Sequence, residues 1–259
     1  MIKVFVAVFT LFISSTVSAQ LSKIDTDRPD QTESCFLVPK GFVQFELGFE
    51  MQQNDPSDRE FVLPTLLSKY GVSKRFELRL ISTVSRYASQ IAPDKKYDLA
   101  VLPFEVGAKV GLWEEKKWIP KTTLLFHFML PKPASKEFQT DHMAPNFRFS
   151  MQNGISKVCA LGYNIGMEWD GFSPTPAYIY TLSPGFDLSE KWYCYMEVFG
   201  SMKKAASPEH NIDGGIAHYF TPNLKADLSS GFGISQAAPD WYVSIGCSFR
   251  INIRGIRNN

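Results

Sequence analysis

Apolar residues recur at every second position through nearly all of the sequence from residue 41 onward. In residues 43–51, for example, Val, Phe, Leu, Phe and Met alternate with Gln, Glu, Gly and Glu. Successive side chains of a β-strand point to opposite faces, so this pattern indicates strands with one apolar and one polar face. The sequence therefore predicts an all-β protein.

The alternation divides into twelve segments that we predict to be strands: 41–51, 61–70, 76–83, 99–112, 118–130, 142–152, 158–169, 177–188, 192–201, 211–220, 224–235 and 241–253. Short connections (73–75, 114–117, 153–157, 189–191 and 221–223) alternate with longer ones (54–60, 85–98, 132–141, 170–175, 202–210 and 236–240). This alternation is typical of an up-and-down outer-membrane barrel with short periplasmic turns and longer extracellular loops. An even strand number places both termini on the periplasmic side.

The polar face of these strands distinguishes a membrane barrel from a soluble protein. It is rich in Gly, Ser, Asn and Thr with isolated charges, whereas a soluble sheet carries long solvated charges there. Trp and Tyr near the strand ends fit the aromatic girdles of a membrane protein. We predict a transmembrane, up-and-down antiparallel β-barrel of about 12 strands, monomeric and surrounded by outer-membrane lipids. A secreted soluble β-sandwich that binds a partner is the alternative.

The charge balance excludes one class of function. The chain has 27 Lys and Arg against 26 Asp and Glu, and without the first 19 residues the balance is 26 against 26. A nucleic-acid-binding protein normally carries a basic stripe, so no nucleic-acid partner is expected.

The two ends of the chain lie outside the predicted barrel, which spans residues 41–253. Residues 1–19 combine Lys3, an apolar run and small residues up to Ala19, which is the pattern of a secretory signal peptide. Residues 20–40 are too polar for a membrane strand, and we expect either a periplasmic tail or a plug inside the barrel. Residues 254–259 are predicted to be a C-terminal tail beyond the last strand.

The sequence contains little that indicates catalysis. GxSxG, HExxH, a phosphate-binding glycine loop and a dinucleotide fingerprint are all missing from the sequence. We therefore predict no enzyme activity, no catalytic residue, no cofactor and no metal site.

Charged side chains that the alternation assigns to the lumen, together with Arg28, are the candidates for a solute pathway: Arg28, Glu46, Glu77, Arg79, Glu105, Lys109, Arg148, Glu168, Glu197, Asp213, Asp227 and Arg250. The competing interpretation is a network of charges that fills and stiffens a small barrel.

Four stretches of the chain resemble one bacterial family: TDRPDQTESCFLVPKGFVQFELGFE at 26–50, LLSKYGVSKRFELRL at 66–80, FEVGAKVGL at 104–112, and HNIDGGIAHYFTPNLKADLSSGFGISQAAPDWYVSIGCSFRI at 210–251. The chain resembles the family labelled putative MetA-pathway of phenol degradation. The resemblance implies an outer-membrane barrel that carries aromatic or other hydrophobic compounds. Barrels of this kind commonly end on an aromatic residue read by the barrel-assembly machinery, here Phe249, although this chain continues beyond it.

The functional prediction follows from these points. We expect a barrel in the bacterial outer membrane that passes or binds small hydrophobic or aromatic molecules, with a closed structural or adhesive barrel as the alternative. Arg28 is the only base in a run of acids, and we expect it to pair with a lumen carboxylate. Glu46 is the first candidate because it is nearest in sequence, with Glu77 and Asp227 as alternatives.

Overall fold

The computed structural model describes residues 22–56, 58–89 and 97–253, so the predicted signal peptide and C-terminal tail lie outside the described residues. The described chain forms these strands: β1 (Phe42–Asp55), β2 (Asp58–Ser73), β3 (Phe76–Ser89), β4 (Tyr97–Val101), β5 (Glu105–Trp113), β6 (Lys121–Met129), β7 (Ala144–Gly154), β8 (Cys159–Glu168), β9 (Ala177–Asp187), β10 (Trp192–Lys203), β11 (Glu209–Thr221), β12 (Leu224–Gly233) and β13 (Trp241–Asn252).

The strands close into a barrel through antiparallel pairing of neighbours. The first strand, β1, pairs with the last, β13, from Phe42 opposite Asn252 to Gln53 opposite Trp241. The short strand β4 and the strand β5 pair with different parts of β3, so together they occupy one strand position in the wall. The thirteen strands therefore form a closed antiparallel barrel with twelve strand positions, which confirms the predicted fold class.

Two details differ from the sequence prediction. The strand predicted at 99–112 is divided into β4 and β5 by residues 102–104, where Pro103 has no amide hydrogen for the ladder. The prediction of a longer loop at 54–60 is wrong, because β1 and β2 remain paired up to Asp55 and Asp58. At this hairpin the alternation of short and long connections therefore fails.

The outer face of the barrel is apolar. Large apolar side chains that point outward and are more than a third exposed ring the wall: Phe49, Leu78, Val106, Phe128, Phe149, Ile165, Leu182, Met196, Leu228 and Ile245. In water so large an apolar surface would be strongly unfavourable, whereas lipid acyl chains cover it at no such cost. Within the described ranges, no helix is both long and apolar enough to cross a membrane.

The chain before β1 lies inside the barrel, and we call residues 22–40 the lumen segment. It begins at the end where β11 and β12 are joined by a short turn, since the Ile24 amide donates to the Pro222 carbonyl at 2.8 Å. It returns to the same end, where the Gly41 amide donates to the Gly71 carbonyl at 2.8 Å. We call this end of the barrel the short-turn end and the opposite end the long-loop end.

Candidate functional site

A cluster of buried charges joins the lumen segment to the wall formed by β2, β3 and β5. The carboxylate of Asp27 accepts hydrogen bonds from Lys69 at 2.7 Å, from Arg79 at 2.8 Å and from Lys109 at 2.8 Å. All three cations are almost completely buried. Lumen charges of this kind come together because alternate residues of neighbouring strands point to the same face.

Carboxylates on the wall also bind the lumen segment. The Asp27 amide donates to Glu46 at 2.9 Å, and the Val38 amide donates to Glu77 at 2.7 Å. Glu46 forms an ion pair with Lys69, and Glu77 lies 3.4 Å from the Arg79 guanidinium. Arg79 further holds Glu33 of the segment through two contacts of 3.0 and 3.2 Å. Charges of both signs are thus paired inside the barrel, as burial requires.

The surroundings of Asp27 fix its protonation state. Burial alone would raise the pKa of its carboxyl, but Lys109, Lys69 and Arg79 together hold that pKa well below its usual range. Asp27 therefore remains a carboxylate at neutral pH, and its three ion pairs persist.

Arg28 occupies a slot in the wall on the other side of the segment. Its guanidinium donates to Asp227 at 3.1 Å and to the Ser244 hydroxyl at 2.8 Å. Gly48 and Gly246 face each other across β1 and β13. A Cβ at either glycine would lie 2.1 or 2.4 Å from the Arg28 side chain, so the missing side chains make the space that the guanidinium fills. The partner of Arg28 is therefore Asp227, one of the two alternatives, and not Glu46.

The deepest part of the segment contacts the wall formed by β8, β9 and β10. The Gln31 amide donates to Glu197 at 2.7 Å, and the Thr32 hydroxyl lies 2.5 Å from the same carboxylate. Thr32 also shares a hydrogen bond of 2.6 Å with Thr181. The next amide, that of Glu33, donates to the Asn164 side chain at 2.7 Å. We call residues 31–33 the tip of the lumen segment.

Asp213 lies opposite Glu197 in the pairing of β10 with β11. Two tyrosine hydroxyls donate to its carboxylate, Tyr195 at 3.2 Å and Tyr242. This part of the lumen combines acidic and aromatic side chains.

Open space follows the wall of β7 to β10 from one end of the barrel to the other. At the long-loop end, a vestibule of about 440 Å³ is lined by Glu105, Asn146, Asp170 and Lys203, among others. Beneath it, an inner pocket of about 190 Å³ contains Arg148, Phe199 and Gln31, and both spaces share Glu168, Ser201 and Glu209.

A third space, the lower pocket, opens at the short-turn end. It has a volume of about 380 Å³ and lies between the lumen segment and the wall. Thr32, Gly162 and Ser183 line it, as do Tyr193 and Tyr219. The inner pocket ends at Gln31 and Thr181 and the lower pocket ends at Thr32 and Ser183, so the contacts of the tip separate the two spaces.

The charged residues predicted from the sequence fall into three groups. Those in contact with the lumen segment, or belonging to it, are Arg28, Glu46, Glu77, Arg79, Lys109, Arg148, Glu197, Asp227 and Arg250. Glu105 and Glu168 lie towards the long-loop end, where Glu168 is 3.5 Å from Arg148. Arg250 lies at the short-turn end and donates to the Ser22 carbonyl at 2.6 Å. Asp213 adjoins Glu197 without a contact to the segment in the described hydrogen bonds.

Sequence reasoning missed several residues of the site. Lys69 was not recognised because the register of β2 shifts between Val62 and Thr65, which interrupts the alternation before it. Thr32, Asn164 and Thr181 are uncharged, and nothing in their local sequence distinguishes them from other polar residues of a strand or loop.

Comparisons with known proteins agree with this architecture. Residues 26–251 match the model of the family described as "Putative MetA-pathway of phenol degradation". A comparison with curated proteins gave no match.

Solved structures with the same fold include an outer membrane channel from Pseudomonas putida F1, with a TM-score of 0.65 and 9% identity over 88% of this chain and 100% of that one. The KdgM porin in complex with disordered oligogalacturonate has a TM-score of 0.55 and 11% identity, covering 80% of this chain and 98% of that chain. The CymD monoaromatic hydrocarbon channel has a TM-score of 0.50 and 9% identity, covering 83% and 89% respectively.

Proposed function

The chain belongs to the family described as "Putative MetA-pathway of phenol degradation" and is a bacterial outer-membrane barrel, and on this premise we propose that it is a channel for small molecules. The observation that carries the proposal is the series of three spaces along β7 to β10, which is interrupted only by the tip of the lumen segment in the described part of the chain. Movement of the tip away from Glu197 and Thr181 would join the inner and lower pockets into one route.

The side chains along this route favour small molecules that carry an apolar or aromatic group. Phe199 lies in the inner pocket, and Tyr193 and Tyr219 lie in the lower pocket. Their ring faces offer apolar contact within an otherwise polar lumen. The named structures are channels and porins, one of them for monoaromatic hydrocarbons, and this favours transport over catalysis.

The closed state has a specific physical basis. The lumen segment is held by ion pairs at Asp27 and Arg28 and by hydrogen bonds at its tip. Many such contacts must break together, so opening requires the displacement of a segment and not only a change of one side chain. A closed structural barrel is the second candidate, since the same contacts also fill and stiffen the lumen.

Conductance in planar bilayers tests the proposal. Deletion of residues 24–33 removes the tip together with Asp27 and Arg28, and we expect conductance to rise several-fold while the barrel remains folded and resistant to detergent at room temperature. Unchanged conductance in a folded deletion variant would support the closed structural barrel instead.

A further inference from the structure

Three buried cations on the wall converge on a single carboxylate of the lumen segment. Lys69 on β2, Arg79 on β3 and Lys109 on β5 each place a nitrogen within 2.8 Å of an Asp27 oxygen. The cations come from the wall, whereas the carboxylate comes from a segment that reaches the site through the short-turn end. The wall therefore contains a carboxylate-binding site, and the occupant of that site is part of the same chain.

The balance of charge on the wall indicates how strongly the site requires an anion. Glu46 and Glu77 are the wall carboxylates beside the three cations. The segment brings two carboxylates, Asp27 and Glu33, to the three cations. Once the segment is removed, two negative charges against three positive ones leave a surplus of one positive charge on the wall. A buried charge without a partner is strongly unfavourable, so the wall alone favours one bound monoanion.

Lys109 shows this requirement most clearly. Its side chain is completely buried, and its ammonium donates to Asp27 at 2.8 Å and to the Ser34 carbonyl at 2.8 Å. It also lies 3.5 Å from Glu33. In the described part of the chain, all of these partners belong to the lumen segment. Withdrawal of the segment would leave the ammonium without them.

We propose that Lys69, Arg79 and Lys109 form a subsite for the carboxylate group of a transported solute, and that Asp27 occupies this subsite in the closed channel. The inference rests on the proposed function, because the three cations lie on the wall of β2, β3 and β5, outside the linings of the three spaces along β7 to β10, and become accessible only when the lumen segment moves. A solute carboxylate takes the place of Asp27, satisfies the same three donors and lowers the cost of displacing the segment. The substrate class is thus a small organic acid, and the solute itself favours the open state.

Chemical rescue by a free carboxylate tests the subsite directly. The Asp27→Ala variant, purified as the full-length protein in detergent, is heated in sodium acetate or sodium benzoate and in sodium chloride of equal ionic strength. We expect either carboxylate to raise the melting temperature by roughly 2–4 °C over chloride. The wild-type protein should gain much less, because Asp27 already fills the site.

Two further variants show whether the rescue is specific. Asp30→Ala removes another acid of the segment, one whose described hydrogen bond is to the Ser183 hydroxyl at 3.3 Å and not to a cation, and we expect no carboxylate-specific gain. The double variant Asp27→Ala, Lys109→Gln should lose the gain because one of the three positive charges is gone. Should the alanine variant fail to fold, Asp27→Ser removes the charge and still leaves space for a free carboxylate.

Equal effects of carboxylate and chloride in folded Asp27→Ala or Asp27→Ser protein would overturn the subsite. The same carboxylate gain in Asp30→Ala, or in the double variant, would overturn it as well. The measurement does not depend on conduction, so the two proposals fail separately. If carboxylate rescues Asp27→Ala but the deletion of residues 24–33 does not raise conductance, only the channel proposal is contradicted. If the deletion raises conductance but carboxylate does not rescue Asp27→Ala, only the subsite is contradicted.

Discussion

Thr32 and Thr181 share a hydrogen bond of 2.6 Å that joins the tip of the lumen segment to β9 of the wall. This bond lies where the inner and lower pockets meet, so it marks the point at which the proposed route is closed. A covalent bond at this position would hold the tip in place without adding a large group to the lumen.

A disulfide between Thr32→Cys and Thr181→Cys should therefore lock the channel. The two hydroxyls are close enough that cysteine sulfurs in their place are expected to bond with little movement of the backbone. The four native thiols, at Cys35, Cys159, Cys194 and Cys247, are first changed to Ser. We expect low conductance after oxidation and several-fold higher conductance after addition of dithiothreitol. Each single-cysteine variant serves as a control. If conductance is the same with the disulfide formed and with it reduced, the tip is not the element that closes the channel.

Gly246→Ala should loosen the lumen segment from the opposite wall. A Cβ there would lie 2.4 Å from the Arg28 Nε and 2.6 Å from the Asp227 carboxylate, so both members of the ion pair must move. We expect more frequent opening in single-channel recordings and a lower melting temperature. Gly111→Ala is the matched control, since a Cβ at Gly111 has its nearest neighbour at 3.5 Å. Equal behaviour of the two variants would show that the Arg28 slot does not hold the segment.

Much of the barrel could be predicted from the sequence because the period of two along a strand reports directly which side chains face lipid. The prediction failed where the local backbone leaves that period. Around Pro103 the strand is interrupted between β4 and β5, because proline has no amide hydrogen to donate to the neighbouring strand. The alternation of apolar side chains does not show this interruption. At residues 54–60 the chain is polar enough to resemble a loop, yet β1 and β2 continue to pair there.

The contacts inside the lumen were less predictable because they depend on the closure of the barrel. Glu46 is nearer to Arg28 in sequence, but Asp227, 199 residues away, is its partner. The pairing of β1 with β13 and of β13 with β12 brings Asp227 to the Arg28 slot. Sequence separation contains no information about which strands meet when a sheet closes, so a list of lumen charges can be correct while its pairs are not.

Ile165→Arg should destabilise the barrel in a lipid bilayer. Ile165 is central in β8, points outward and is 55% exposed, so an arginine there would enter the acyl chains. The expected loss in the free energy of unfolding is about 2–4 kcal/mol for a site near the midplane. The measurement is urea unfolding in lipid vesicles. Met202→Arg is the control, because Met202 also points outward but lies at the end of β10, and its loss in the free energy of unfolding should be about 0–1 kcal/mol. Equal losses for the two variants would place Ile165 outside the hydrocarbon region.

Cysteine labelling on whole cells should distinguish the two ends of the barrel. Cysteines replacing Lys136 or Ala206, which lie in connections at the long-loop end, are expected to react with an impermeant maleimide. Cysteines replacing Glu115 or Glu190, at the short-turn end, should react only after the outer membrane is opened. The native cysteines are changed to Ser beforehand. The reverse pattern would invert the barrel and place the short-turn end, through which the lumen segment enters, at the cell exterior.

The docking of the lumen segment should weaken as the pH rises towards 7, because of Asp30. Burial raises the pKa of its carboxyl from 3.8 to about 7; nearby Lys225 opposes this rise and Asp213 adds to it. The docked segment therefore binds this proton more tightly than the released segment does. The stabilisation of the docked state that the proton supplies is complete below about pH 4 and is lost as the pH rises through about 7. Channel opening should accordingly be rarer at pH 5 than at pH 8.

Asp30→Asn separates this effect from the other charges in the lumen. The amide keeps a side chain able to bond Ser183, which lies 3.3 Å from the Asp30 carboxylate, but it has no proton to lose. Opening of this variant should change less between pH 5 and pH 8 than opening of the wild-type protein. The remaining change would come from Asp25 and Glu33, whose carboxyl pKa values burial also raises. Asp27 makes no contribution in this range, because the cations around it hold the pKa of its carboxyl well below the ordinary value. If Asp30→Asn keeps the full pH dependence of the wild-type protein, a group other than Asp30 controls the opening of the channel.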